Sequence, residues 1–548
     1  MKLFLYLLVT LNILFSSAQF VYADSRHVIH GDFIVIGAGP AGSVVAGRLA
    51  EELPCQGVIL LERGPNLDQA PNPAWIEYVD GLVAVAENLD NLTEVLYTTP
   101  QPQLDGRSIN TNVGAMVGGG GSRNAFGYRI PSRTTINKWN LRGWDWDDLE
   151  PEFRRVEARV GIELLPYGGQ PSNVQVVARK GFNAQGFRNN TYSGLNGDSE
   201  GTYPGYWTVS GPQEVPAKRT NSYFQWVMES RRLNKNLYVY TYMTAYKVLF
   251  DDDRKAKAVL AFDNNGVTWE FRAHKEVIIT GGTFKTTQLL QLSGIGDSNL
   301  LSGLGVQTVF DNPYVGKNLW YHLNAQFFYY MNPAFIVPDA NQIDQIGTSL
   351  VGAGPNQSPL GEADWVISTS QLNIPSGKKR QSGVLGFSEV LVGGLYSKGT
   401  VNSNSTNIQT QPVIDFNVFG DPRDLPVTVA ALGNQQTVLS GPYLSEIYPL
   451  RLIPSMSVDL TNPIVAEAYA RAAIGDAFHT GGTAKMGNRF DYTRVVDNEA
   501  YVVGVERLRV CDLSIIPDRA RINTFGLAMG IGSRCATLII EKYSRCHV

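Results

Sequence analysis

The sequence predicts an α/β chain with a Rossmann-like dinucleotide-binding unit near its N-terminus and material for at least one further unit. Three observations carry this. The chain has 548 residues, and at about 100–200 residues per domain that is two to four structural units. Its composition is 43% hydrophobic and 18% charged, apolar enough for a large core and unlike the signature of a disordered chain. Between residues 32 and 62 an apolar run, a glycine-rich turn, a helix-like stretch and a second apolar run follow one another. The charge balance excludes one class of partner. Lys plus Arg total 46 against 50 Asp plus Glu, a net charge of −4, so there is no basic footprint for nucleic acid. The 55 glycines exceed the usual share of about 7%, and much of the excess lies in three clusters.

Taken in order, residues 1–23 read as a signal peptide. Met1-Lys2 is a small positive region, residues 3–15 an apolar run, and Val21-Tyr22-Ala23 a cleavage site. Asn12 and Ser16-Ser17 interrupt the run, which falls short of the about 20 apolar residues of a membrane span. The mature chain is therefore expected to be secreted, with no membrane attachment once the signal is removed. Acceptor triplets at Asn91, Asn189, Asn356 and Asn404 fit that route as N-glycosylation sites. Cys55, Cys511, Cys535 and Cys546 suffice for up to two disulfides in an oxidising compartment, with three possible pairings. Neither their spacing nor the six scattered histidines make a metal site, so no metal is expected.

The first glycine cluster follows the strand-like Asp32-Phe-Ile-Val-Ile36. Gly37-Ala-Gly39-Pro-Ala-Gly42 opens a helix, and Val58-Ile-Leu-Leu61 ends at Glu62, 20 positions after Gly42. In such a β-α-β unit the first glycine allows the tight turn, the second admits a pyrophosphate to the backbone, and the third lets helix and strand pack closely. The helix N-terminus offers N–H groups to the phosphates, and Glu62 accepts from ribose hydroxyls. FAD and NAD both fit this unit.

The second cluster is Gly114-Ala-Met-Val-Gly118-Gly-Gly-Gly121-Ser-Arg-Asn124. Glu276-Val-Ile-Ile-Thr-Gly-Gly282 leads into a helix-like stretch ending at Ser293-Gly-Ile-Gly296. Near the C-terminus, Ala477-Phe-His479-Thr-Gly-Gly-Thr-Ala-Lys-Met-Gly487 is followed by Leu508-Arg-Val-Cys-Asp512-Leu-Ser514 and Asn523. In this order and at these distances the chain resembles the glucose–methanol–choline (GMC) family of FAD-dependent oxidoreductases, from about Asp32 to Glu541. The resemblance implies FAD as the cofactor. It places cofactor contacts at Gly37, Gly39, Pro40, Ala41, Gly42 and Glu62, at Met116, Gly120, Asn124, Ala125, Phe126 and Gly127, and at Ala245, Asp512, Asn523 and Thr524. The 118–121 glycines are expected to lie flat against the flavin ring, with Asn124 at its polar edge.

Several positions depart from the family pattern. Ala115 stands where a basic or polar residue is usual, Gly120 and Gly121 where hydroxyl residues are, Thr287 where Pro or Ser is, and Tyr321 where Asp commonly precedes His322. Arg123 occupies the position at which some members link a histidine covalently to the flavin. Arginine cannot form that bond, so the FAD is expected to be noncovalent.

His479 is the candidate base. It lies between Phe478 and a Thr-Gly-Gly turn, and an imidazole accepts and returns a hydroxyl proton near neutral pH. By resemblance it is the family's usual base opposite the flavin, and Asn523 is its partner, holding the substrate oxygen. His322 is read as a structural family position, and Asp251-Asp-Asp-Arg as a solvated hairpin turn.

The chain is thus expected to weave between two parts: an FAD-binding domain over 31–150, 215–310 and 475–548, and a substrate domain over 151–214 and 311–474. The resemblance makes the second an antiparallel sheet flanked by helices, so the whole is α+β. The polar stretch 397–411 is expected to be exposed. The leading expectation is a secreted oxidase in which His479 removes the hydroxyl proton, the hydride passes to FAD, and O2 becomes peroxide. Phe126, Phe478 and Phe525 beside motif positions suggest a small aromatic alcohol or an α-hydroxynitrile such as mandelonitrile. The alternative is a hydroxynitrile lyase of the same fold, releasing an aldehyde and cyanide without net redox. Oligomeric state is not legible.

Overall fold

The computed structural model describes residues 22–23, 27–66, 92–124, 127–162, 173–187, 189, 195, 201–203, 209–210, 218–335, 346–352, 364–374 and 383–544. The first unit begins with β1 (Val28–Ile36), whose residues from Phe33 to Ile36 are buried on both faces. The helix α1 (Pro40–Glu52) starts with proline at its first position, where the missing N–H and the fixed φ favour a helix start. It leads to β2 (Val58–Leu61), buried throughout. An amphipathic helix, α2 (Trp146–Val160), carries an Asp145/Asp148 capping box at its N-terminus and Gly161 in the left-handed region at its end.

The sheet continues with β3 (Leu237–Tyr240), the hairpin of β4 (Thr244–Phe250) and β5 (Ala256–Phe262), and β6 (Thr268–Ile279). The turn joining β4 to β5 is the 251–254 segment, in which Asp251 Oδ1 accepts from the backbone of Asp253 and Lys255. That is the solvated hairpin turn the sequence suggests, and no acidic or histidine cluster among the described residues has the makings of a metal site. After β6 comes α3 (Gly282–Leu292), almost entirely buried.

The second unit holds β7 (Trp320–Tyr330), β8 (Ile346–Gly352), β9 (Trp365–Ile374), β10 (Gly383–Val392), α4 (Asp424–Leu439), β11 (Leu450–Ile453), α5 (Pro463–Ala473) and β12 (Gly475–Gly481). The chain then returns to the first unit with β13 (Leu508–Val510) and the C-terminal helix α6 (Phe525–Tyr543). No helix of the described residues is long and apolar enough to cross a membrane.

The first sheet runs β4-β5-β6-β1-β2-β3, with β13 added on β6. Strands β13, β6, β1, β2 and β3 are parallel, and their last residues stand in one row: Val510, Ile279, Ile36, Leu61 and Tyr240. The residues that follow these strands therefore converge at one edge, the place where open parallel sheets bind ligands. Helices α1, α2 and α6 are tied together beside it: Arg48 Nη1 reaches Glu152 Oε2, the Ser533 carbonyl and Thr537 Oγ1.

The second sheet is antiparallel, β11-β7-β10-β9-β8 and a short strand Gly201–Tyr203, with β12 also paired to β7. Helix α4 covers it, bonded through Gln435 Nε2 to Ser388 Oγ at 2.9 Å. The α/β architecture with an antiparallel second sheet is as expected. Two boundaries fall differently. Strand β12 belongs to the antiparallel sheet although 475–548 was assigned to the FAD-binding stretches, because it pairs with Trp320 to Asn324 of β7. Helix α2 straddles the division at 150/151 and packs on α6, anchored by Glu152. The stretch 397–411 is not simply exposed: Val401 and Ser403 are buried, because residues 400–402 pair with 413–415.

Candidate active site

The row of strand ends opens onto a crevice built mostly of backbone. Gly37 turns at φ +104°, in the left-handed half of the map that glycine reaches freely. A Cβ on Gly42 would sit 2.0 Å from the Gly37 carbonyl oxygen, so helix α1 lies against the turn only because that side chain is absent. Gly39 is different: a Cβ there would meet nothing within 4 Å, and no side chain caps the N-terminus of α1. The free N–H groups and the empty space beside them suit a phosphate group.

Glu62 closes the crevice at the end of β2. Its Oε2 accepts from Ala38 N and its Oε1 from Gly64 N, both at 2.9 Å, and burial raises its carboxyl above the usual range. Met243 N donates to the Glu62 carbonyl at 2.8 Å, which brings Ala245, at the start of β4, beside this turn. Asp512, two residues past β13, spends its carboxylate internally, accepting from Gly282 N, Thr286 Oγ1 and Ser514 N.

The second glycine cluster forms a short helical turn, residues 119–122, pressed onto the first. Gly118 N donates to the Ala38 carbonyl at 2.7 Å, and a Cβ on Gly121 would lie 2.6 Å from the Phe525 ring. Gly119 and Gly121 thus serve close packing against Gly39, Pro40 and Phe525, and Gly118 against Ser122 and Asn221. Gly120 alone faces open space, as does Gly127 farther on. Met116 is fully buried, and its carbonyl accepts from Gly119 N at 2.9 Å. Asn124 N is held by the Gly120 carbonyl at 2.8 Å. Ala125 and Phe126 lie outside the described residues.

His479 comes from the antiparallel sheet. Tyr321 pairs with Thr480 and Leu323 with Asp476, so His322 alone opposes residues 477–479: β12 bulges by two residues. Such bulges re-aim side chains. Here Phe478 takes φ +60° and is 45% exposed, while the His479 ring turns onto His322. The rings meet edge-on, with Nδ1 to Nδ1 at 3.3 Å. One of the two must donate. If His479 donates from Nδ1, its Nε2 lone pair is left for a substrate proton. Burial, and then the Arg129 charge, push the His479 imidazole down to about 3, so it is neutral at ordinary pH. Burial, then His479, depress His322 as well. The end of β12 is fastened to the first unit by Thr283 Oγ1, which donates to the Thr480 carbonyl at 2.8 Å.

Asn523 lies in the segment leading into α6, next to Thr524, which caps that helix and is buried. Its Oδ1 accepts from Arg129 Nη1 at 2.6 Å. Arg129 is the link between the two predicted residues: it bonds one and acts electrostatically on the other. Burial raises the Glu389 carboxyl above its usual range, opposed in part by the Asn324 Nδ2 hydrogen bond at 2.7 Å and then by the Arg129 charge. Arg123 lies over the Phe478 ring at 5.8 Å.

The structure thus joins His479 and Asn523, the two residues singled out in the sequence, through Arg129, and sets His322 and Glu389 beside them, three residues that sequence reasoning had not grouped with the site. The one available signal for Arg129 was a lone charge between Tyr128 and Ile130, both fully buried. Phe525 does not wall a cavity; it packs under Gly121 and is 7% exposed. Tyr321, the departure from the family's acidic residue, points into the sheet core and stacks on Phe416 at 4.6 Å. Expected disulfides are absent among the described residues: Cys55, Cys511 and Cys535 carry free thiols, and Cys511 and Cys535 are hydrogen-bonded neighbours.

Comparison with known proteins agrees with this architecture. GMC oxidoreductase profiles match residues 31–324 and 396–532. An alcohol dehydrogenase [acceptor] of Pseudomonas putida is 28% identical over 93% of this chain and 96% of its own length. Among solved structures, a formate oxidase variant of Aspergillus oryzae RIB40 superimposes with TM-score 0.82 at 21% identity, covering 96% of this chain and all of its own. A fungal aryl-alcohol oxidase does so with TM-score 0.75 at 18% identity, over 94% of this chain and 99% of its own.

Proposed function

The chain belongs to the GMC oxidoreductase family, and from that premise we propose that it is a secreted oxidase of small aromatic alcohols or α-hydroxynitriles, with mandelonitrile as the candidate substrate. The overall conversion is an alcohol plus O2 to a carbonyl compound plus hydrogen peroxide. The observation that carries this reading is the neutral His479 ring, presented by a bulged strand and linked to Asn523 through Arg129, which bonds the one and acts electrostatically on the other.

The crevice fits FAD: Gly39 and the uncapped start of α1 suit the pyrophosphate, Glu62 the ribose, and Gly120 the approach of a flat ring. The chemistry supplied by bound FAD is acceptance of the hydride that leaves the alcohol carbon. Arg123 supports noncovalent binding, since no histidine stands where some members carry the linked one. The rest falls to this chain's side chains. Asn523 Nδ2 donates to the alcohol oxygen, and His479 Nε2 takes its proton, the positioned acid–base work for which imidazole is suited. Phe478, exposed beside His479, is what supports an aromatic substrate; Phe525 does not contribute. Asn189 and Asn404 are exposed, in keeping with glycosylation on the secretory route.

One observation favours a second reading. Arg123 and Arg129 make the site cationic, which also suits departing cyanide in a hydroxynitrile lyase. Mandelonitrile under anaerobic conditions separates the two. An oxidase bleaches the bound flavin and, in air, yields peroxide with the cyano carbon still attached to the product. Steady release of benzaldehyde and cyanide from a flavin that stays yellow overturns the oxidase reading.

A further inference from the structure

We infer that Arg129 is a positioning residue for the alcohol: it locks the Asn523 amide so that only N–H donors face the substrate oxygen, and places a fixed cation where negative charge grows as the proton leaves. The inference rests on the assignment of His479 and Asn523 as the acid–base pair.

An asparagine amide is normally ambiguous, because its oxygen and nitrogen are alike in shape. Arginine removes the ambiguity. A guanidinium has five donors and no acceptor, so the 2.6 Å contact from Arg129 Nη1 can be made only to Oδ1. The Asn523 Nδ2 must then turn the other way, toward any group that needs donors. An alkoxide-like oxygen is such a group. Without the arginine, the same amide could present its carbonyl to the alcohol and accept the proton's hydrogen bond in competition with His479.

The fold holds this contact firmly. Tyr128 and Ile130 on either side are fully buried, and Arg129 itself is 5% exposed. A Cβ on Gly526 would lie 2.3 Å from the Arg129 carbonyl oxygen, so residues 128–130 press directly on the first turn of α6, immediately after Asn523. The charge is equally well placed. His479 is faced by His322 from β7 and by Arg129; the groups facing His322 in turn are Lys398, Arg519 and Arg521, of which Lys398 and Arg519 pair with Asp518 and Arg521 with Asp364. Arg123 lies over Phe478. The charged groups that act on the imidazole pair are thus cations, while the Glu389 carboxyl faces Arg129 and the Asp476 carboxyl lies buried three residues before His479; Arg129 is the cation that also touches the substrate-orienting residue.

The test uses the full FAD-loaded chain with Arg129→Met and Arg129→Lys. Reduction of the flavin is followed anaerobically across pH with benzyl alcohol, 4-methoxybenzyl alcohol and mandelonitrile, and His479 is titrated by NMR in protein labelled at the histidine Cε1. In Arg129→Met, flavin occupancy is expected to hold while the limiting reduction rate falls roughly 10- to 150-fold, the range for a lost hydrogen bond to a charged group. The acid limb of the profile and the His479 resonance should both move to higher pH, because removing a cation makes protonation of the ring easier. Arg129→Lys should restore the position of the limb and part of the rate. Rates within twofold of the parent and an unmoved His479 titration overturn the inference. So does an equal loss in both variants with neither limb nor resonance displaced, which is what a purely structural arginine gives. If the parent enzyme reduces its flavin with none of the three alcohols, the proposed function fails on its own, and the His479 titration still decides the role of Arg129.

Discussion

The base role proposed for His479 needs a neutral ring, and the surroundings favour one. Burial, and then the Arg129 charge, hold it far below its ordinary value, so the ring is neutral at ordinary pH. Replacing His479 with Ala is expected to slow anaerobic flavin reduction by roughly 10²–10⁴-fold, the contribution of a positioned base, with FAD still bound; the flavin absorbance checks both. Three residues earlier, Asp476 is buried and its carboxyl is pushed up to about 7 by burial. A carboxyl raised in this way stabilises the fold at acid pH relative to a normal one, and that contribution is lost as pH rises from the unfolded value near 4 through about 7. Asp476→Asn should therefore raise the melting temperature more at pH 8 than at pH 5. An equal shift at both values contradicts the assignment. These residues also mark what the sequence discloses. His479 and Asn523 could be singled out as candidates because each sits in a short glycine- or turn-flanked motif. Arg129 could not, because its importance lies in a contact with a residue 394 positions away, and no local pattern announces that.

At the scale of elements, two devices make the site: a helix lying unusually close to a turn, and a strand that bulges. The first was readable from Gly37, Gly39 and Gly42, because the chemistry of the turn is local. It also makes a sharp prediction. Gly42→Ala drives a methyl group to within 2.0 Å of the Gly37 carbonyl oxygen, and backbone on both sides must shift. FAD retention should fall severely, seen as a lower ratio of flavin to protein absorbance after gel filtration, while Gly39→Ala, with open space around it, should fold normally and weaken FAD binding only. The bulge in β12 was not readable. It exists because Thr480 and Asp476 find partners only three residues apart inclusive on β7, Tyr321 and Leu323, a register that depends on where two distant segments meet. The glycines at 118–121 show a third case. They pack against the first glycine turn, and the contact of Gly121 with Phe525 takes that aromatic away from the cavity wall.

For the whole molecule, the α/β class and the antiparallel second sheet were expected, the first from the β-α-β pattern and the second from family resemblance. The exact crossings were not: residues 475–481 belong with the substrate sheet, and the helix spanning residue 150 with the FAD-binding part. Hydrophobic patterning tells which residues are buried, not which sheet buries them. A noncovalent cofactor gives a prediction at this scale. Acid precipitation should release yellow flavin to the supernatant, and the refolding yield and melting temperature should rise with added FAD, since a ligand that binds only the folded state stabilises it. Flavin that remains in the pellet contradicts noncovalent binding.

The parallel sheet has one more consequence, for the ribosome rather than the substrate. Strand β1 can find β2 at once, but its other neighbour β6 arrives only with residue 270, and β6 in turn pairs Val277 with Leu508. At about 5–20 residues per second of synthesis the interval between those last two partners is roughly 10–50 s. Throughout it the exposed side of β6 from Val277 to Ile279 is an open, apolar strand edge, the kind of surface that joins other chains. Nascent chains stalled anywhere in 280–507 should accordingly be caught by chaperones and aggregate on release, and those stalled just past α6 should not.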